Sequence, residues 1–293
     1  MSTLCWAACK ALVERQPPQL KKKLLELLPA SQQAELQKAP MQKVLFSALS
    51  PDEILDTIHP SWLIHILLPY TESERCFFLS SLNSSLASQL KKLLDVNRPL
   101  PSVTPLGKAY LRGEMLALIK KERGEAITKA ALPESTLNIL LDFDATRLSI
   151  LAFWLGLYDL AEELRFAIDK QTWLQVEAAL SQSEWQGLKT FQMKKERLTF
   201  GRMPLKDFAD PRKLRLLIEQ YGLNRLAKAL HGENGSLLWH ISLHLDRKRA
   251  EFLARLCGPL KGPLEKPELR EVLRLQILAL VPLLPEEQKK RAP

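Results

Sequence analysis

Apolar residues recur at three- and four-residue steps in every long window of the chain, the spacing of one face of an α-helix; the strict alternation of a strand is almost absent. The 19 prolines fall mostly between these apolar runs, where a helix must start or stop. The pattern predicts a first helix over Cys5 to Arg15, then Pro17-Pro18 and a second over Gln19 to Leu28. Ser31 stands as the N-cap of a third, with Gln32 to Lys38 following.

One unit returns along the chain: leucines, a proline or serine, then a short polar stretch rich in Glu, as in LLPASQQAEL, ALSPDEILDTI, LLPYTESERCFFL and ALPESTLNILLDF. Each reads as a helix end followed by a cap and a polar first turn, where free amide donors and the helix dipole favour acceptors. Helices this short cannot bury an apolar stripe alone, so they must stack. The predicted fold is therefore all-α, an armadillo-like array of short stacked helices, although the spacing is too irregular to define a solenoid period. Composition divides it further. Residues 95–107 hold three prolines and a glycine and read as a linker, and helical periodicity breaks again near 200–211. The expected organisation is a helical domain over 1–94, the linker over 95–107, a second domain over 108–199, a third over 200–284 and a polar tail over 285–293.

Charge changes this picture by singling out one end. Residues 1–188 carry 20 basic and 21 acidic side chains, whereas residues 189–293 carry 22 and 12, so the whole net charge of +9 comes from the last third. Such a surplus steers acidic protein partners, anionic bilayers or nucleic acid. Nucleic acid is the weakest of these readings, because the cations are dispersed through helices without a finger, loop or aromatic pattern. The opening MSTLCWAACKALVER lacks a basic stretch before an apolar core, and no window approaches the ~18 apolar residues of a membrane span. A cytoplasmic protein is expected, peripherally associated with the inner membrane through protein partners. Cys5, Cys9, Cys76 and Cys257 form no C-x-x-C pair and read as scattered thiols in a reducing compartment.

Catalytic patterns do not assemble. His240 and His244 stand four apart, but the residues between them, Ile241, Ser242 and Leu243, offer no general base, and no third ligand is at hand. Gly232 and Gly235 in LHGENGS lack the Lys-Ser/Thr of a phosphate loop and read as a turn. Asp142 with Asp144, and Glu162 with Glu163, read as cap or solvent-face acids. The chain is expected to be no enzyme and to use no cofactor or small-molecule substrate. Interaction surface remains. In IHPSWLIH, Pro60 sits just inside a helix start, and His59, Ser61 and His65 are candidates to project from it. Trp62 reads equally as a protein-binding anchor or as core. Arg247, Lys248 and Arg249, with Arg255, are the candidate basic docking residues.

Two stretches then resemble a known family. ILDTIHPSWLIHILLPYTESER followed by FFLSSLNSSLASQLKKLL resembles the middle domain of the FliG family of flagellar rotor proteins, through His59-Pro60, Ile66-Leu67 and Leu68-Pro69. The family's Glu and Gln around His-Pro are Ile58 and Ser61 here. The second stretch, from Asp207 to Leu260, is similar to the family's carboxy-terminal domain. It matches at Phe208, Asp210, Leu226-Ala227, Ala229-Leu230, Gly232, Arg249-Ala250 and Gly258-Pro259, with a final helix over Glu268 to Leu280. Where flagellar rotors carry an acidic pair facing the stator, this chain has Arg255 and Leu256. The resemblance implies a scaffold joining a membrane-ring protein to a switch or sorting-platform protein, with self-assembly into a ring. The lost acidic pair suits a type III secretion base better than a torque-generating rotor. The competing expectations are an unrelated helical-repeat adaptor and a basic nucleic-acid-binding protein.

Overall fold

A computed structural model of the chain describes residues 18–38, 49–166, 169–193, 203–204, 210–257 and 267–284, together with positions 6, 10 and 13. Among the described residues every regular element is a helix. The expected all-α class is therefore observed. Contacts divide the chain into a unit of residues 1–50 with 126–132 and a unit of residues 51–125 with 133–293.

In the first unit, α1 (Pro18–Glu26) and α2 (Ala30–Lys38) follow one another closely. Gln33 joins them by donating its amide to the carbonyls of Leu25 (2.9 Å) and Leu28 (2.8 Å) at the end of α1; the first of these also accepts from the Leu28 amide (3.1 Å). Trp6 and Leu36 are buried there, with Val13, Leu25 and Leu28 packed against them. Ser31 lies inside α2 and is not its cap. The Pro29 carbonyl already accepts from the amides of Gln32 and Gln33, so the helix begins before the serine.

The second unit opens with α3 (Pro51–Leu55), α4 (Pro60–Leu67), α5 (Glu72–Ser80), α6 (Ser84–Leu93) and α7 (Pro105–Arg123). Its starts follow from sequence chemistry. Proline stands first in α3, α4 and α7, where its missing N–H costs nothing. Thr71 and Glu74 form a reciprocal capping box on α5, Asn83 caps α6, and Thr104 caps α7. The expected linker at 95–107 falls inside this unit, as the connection from α6 to α7. Arg112 of α7 binds Asp52 (2.6 Å) and Asp56 (2.9 Å) at α3 and donates to the Ser81 carbonyl after α5. The bonds of Arg112 cross this segment and tie the helices on its two sides together.

After a 3₁₀ segment (Thr136–Asp142) come α8 (Ala145–Leu164), α9 (Lys170–Ala179), α10 (Gln182–Met193), α11 (Pro211–Leu230), α12 (Gly235–His244), α13 (Arg247–Leu256) and α14 (Pro267–Leu280). Asp144, Asp169, Asp210, Asn234 and Asp246 cap α8, α9, α11, α12 and α13. Helix α8 is buried nearly all round from Leu148 to Leu164, which places it centrally. It crosses α11 with almost no side chain between the backbones. A methyl on Gly156 would lie 1.8 Å from the Ile218 carbonyl oxygen, and one on Gly222 only 1.5 Å from that of Ala152. Helix α10 closes another side of α8, with Phe191 stacked on Tyr158 (3.9 Å) and edge-on to Trp154 (6.2 Å).

The break expected at 200–211 lies mostly outside the described residues, as do Phe208, Gly258-Pro259, Cys5, Cys9 and the tail. Within the described residues no helix is long and apolar enough to cross a membrane.

Candidate functional site

The nine residues singled out by sequence fall into two places with different character. His59, Pro60, Ser61 and Trp62 form an internal joint. His59 is the N-cap of α4, with extended backbone, and its Nδ1 accepts from the Ser61 amide (3.2 Å). Ser61 Oγ lies 2.9 Å from the same Nδ1 and accepts from the backbone amide of Arg247 (3.0 Å). A relay results: Arg247 N–H to Ser61 Oγ, and Ser61 O–H to Nδ1, which requires Nδ1 to be unprotonated. Burial lowers the His59 pKa; Arg249 adds to this and Asp246 opposes it.

The same segment docks on the last turn of α12 and the connection that follows it. His59 donates its amide to the Leu243 carbonyl (2.8 Å), and Trp62 donates its indole N–H to that of Leu245 (3.0 Å). Trp62 is 1% exposed, and the Arg123 guanidinium lies over its ring at 5.1 Å. Of the two readings of this tryptophan, core is the one observed, and it is not available as a surface anchor. His65 remains exposed, 3.6 Å from Glu122.

The basic triplet is also mostly paired within the chain. Arg247 pairs with Glu122 (3.0 Å) and with Glu251 one turn on (2.8 Å). Arg249 pairs with Glu219 of α11 (2.7 Å) and Asp246 (3.4 Å) and donates to Ser149 Oγ of α8 (3.2 Å). Two of the three cations expected to face a partner are therefore consumed in holding α13 to its neighbours. Lys248 and Arg255 differ. Both are exposed, neither has an ion-pair partner among the described residues, and the Arg255 guanidinium lies 5.3 Å from the Phe252 ring.

These two cations edge a groove of about 460 Å³ between α11 and α13. Leu216, Gln220 and Leu223 form one wall, and Phe252 stands on the other between Lys248 and Arg255. A smaller concavity of about 220 Å³ continues the groove toward Phe153 and Trp154 of α8 and shares Leu216, Glu219 and Arg249 with it. Leu216, at the junction of the two, is 56% exposed. Arg215 beside it is held by Glu184 (2.8 Å), so it adds little free charge.

A buried polar group that sequence reasoning missed lies at the centre of the unit. Arg225 of α11, 2% exposed, grips Asp159 of α8 through both carboxylate oxygens (2.7 and 3.0 Å) and Gln276 of α14 through Oε1 (2.9 Å). The available signal was phase. Arg225 continues the Leu214, Ile218, Gly222 stripe of α11, and Asp159 stands alone in an apolar run.

The side chains weighed for catalysis take structural roles. His240 and His244 are buried, and His244 Nδ1 meets the Phe143 carbonyl. Asp144 caps α8, Glu162 pairs with Arg165, and Glu163 accepts the Met203 amide. Gly232 takes a positive φ of 83° in the turn after α11. Cys76 is buried, and burial pushes the Cys257 thiol up to about 11, with Lys228 pulling it the other way. Among the described residues no group of three or more His, Cys, Asp or Glu could hold a metal ion. No protein-family model, curated protein or solved structure matches the chain.

Proposed function

We propose that the chain is a non-enzymatic FliG-like scaffold in the cytoplasm, at the base of a type III secretion or flagellar-type apparatus, where it links the membrane ring to the cytoplasmic platform. What carries the reading is the joint between the two stretches that resemble FliG. His59 and Trp62 of the first donate to Leu243 and Leu245 of the second, and Ser61 accepts from Arg247. A scaffold must transmit position from one docking face to another, and bonded helices do so where a tethered pair of domains would not. The exposed Arg255, standing where flagellar rotors have acid, favours a secretion base over a torque generator.

The internal pairing of Arg215, Arg247, Arg249 and Arg274 with carboxylates leaves fewer free cations for phosphate contacts than composition suggests, which disfavours the nucleic-acid alternative. The test is affinity purification of the tagged full chain from its own cells in mild detergent, with identification of the co-purifying proteins. Recovery of membrane-ring and sorting-platform components is expected. Recovery of unrelated cytosolic proteins or nucleic acid alone would replace this reading with the helical-repeat adaptor or the nucleic-acid binder.

A further inference from the structure

The groove between α11 and α13 says more about what a partner must present. Its wall on α13 is ordered as Lys248, Phe252, Arg255, a spacing of four and three residues that puts all three on one face of the helix. The opposite wall repeats the interval with Leu216, Gln220 and Leu223. Two parallel ridges with the same spacing form a trough that accepts a third helix, the arrangement by which an amphipathic helix is read through anchors at i, i+4 and i+7. The charge of the trough is one-sided once its internal pairs are removed. Glu219 is held by Arg249 and Glu251 by Arg247, so the charges left without a partner among the described residues are Lys248 and Arg255. They are seven residues apart, about 10.5 Å along the helix axis. Phe252 stands between them on the same helix, and Leu216, 56% exposed, adds apolar surface on the facing wall.

We infer that this groove docks an amphipathic helix of a partner protein, with two acidic side chains about two turns apart on Lys248 and Arg255 and an apolar side chain between them against Leu216 and Phe252. The inference rests on the scaffold reading above and names the chemistry of one of its partners. Opposite charge at the two ends fixes the register of the helix and speeds its encounter, while the apolar seat supplies most of the affinity.

The test uses the full chain and a labelled, stapled helical peptide of about four turns, carrying Glu at two positions a heptad apart with Leu between, and a twin with Lys in place of both Glu. Fluorescence anisotropy should show micromolar binding of the Glu peptide, weakened at least tenfold by the double variant Lys248→Glu/Arg255→Glu. That variant should bind the Lys twin instead. Leu216→Ser should weaken the Glu peptide without altering the preference between twins. Both charged side chains are exposed, so the variant should melt with the parent. Failure of the native chain to bind the Glu peptide, or binding indifferent to the charge reversal, overturns the inference. So does equal dependence on Lys248 and Arg255 of binding to phosphatidylglycerol vesicles, because the surface would then be reading a bilayer.

The two readings fail separately. Ring and platform proteins that co-purify equally with parent and reversed variant leave the scaffold standing without this groove. Their absence from the parent removes the scaffold whatever the peptide does.

Discussion

Asp159 and Arg225 meet through two hydrogen bonds, Nε to Oδ2 at 2.7 Å and Nη2 to Oδ1 at 3.0 Å, with both side chains 2% exposed. Desolvating two charges is costly, and a bidentate fork with a third bond to Gln276 is the geometry that offsets it. Removing one partner leaves the other charged and buried without its bidentate counter-ion. Asp159→Ala and Arg225→Ala should each lose about 3–5 kcal/mol in urea denaturation. The double replacement Asp159→Leu/Arg225→Met should recover most of it, since similar volume then fills the site without charge. Additive losses in the double variant would show that the two side chains act independently.

The α8–α11 crossing should tolerate no side chain at its closest point. Gly222→Ala places a methyl against the Ala152 carbonyl oxygen, which is backbone and cannot swing aside. A loss of about 3 kcal/mol or more is expected, at or beyond the upper end for overpacked cores. Gly113, where an added methyl meets nothing within 4 Å, is the control in α7. There Gly→Ala should stabilise by about 0.5–1 kcal/mol through helix propensity. Thermal melts of the two variants should move in opposite directions.

Trp62→Ala should cost about 3–5 kcal/mol, as deletion of a large buried aromatic does. Trp62→Phe keeps much of the packing but leaves the Leu245 carbonyl without its donor, for a smaller loss of about 1–3 kcal/mol. Chemical denaturation followed by far-ultraviolet circular dichroism checks both. Unchanged stability in the alanine variant would return this side chain to the surface.

His59 should make part of the stability depend on pH. Its folded pKa is lowered, chiefly by burial, so the unfolded chain takes up the proton more readily, near pH 6.5. The sign is then fixed: stability is undiminished above the unfolded value, falls as pH drops through about 6.5, and levels off below the folded value. Protonation of Nδ1 also breaks the acceptor role of the cap. His59→Asn keeps a capping acceptor without a titrating ring. The difference in unfolding free energy between pH 8 and pH 5 should shrink in this variant, and an unaltered difference would place the titration elsewhere.

What could be read from sequence was local. Thr71 with Glu74, Asn234 and Asp246 begin helices as side chains of their kind do next to apolar runs, and proline marks the starts of α4, α7 and α11. What could not be read depends on partners far along the chain. Nothing near Trp62 says that its indole will meet Leu245, and nothing near Arg247 and Arg249 says that Glu122 and Glu219 will neutralise them. The proline-rich stretch at 95–107 reads as a linker from composition alone. Composition reports the stiffness of a segment and is blind to Arg112 reaching back to Asp52 and Asp56. Lys248 and Arg255, like His65, stay at a surface because their own helices turn them there. Phe252, between them, reads first as core, as an aromatic at helical spacing does, yet it lines the groove half-buried.

The bond from Trp62 to Leu245 spans 183 residues of chain. During synthesis at about 5–20 residues per second, the acceptor is made roughly ten to forty seconds after the donor. Over that interval α4 has been made while its indole has no carbonyl to meet, and the apolar face meant for the α12–α13 connection is open to any other surface. This joint therefore forms only late in synthesis, once Leu245 has been made.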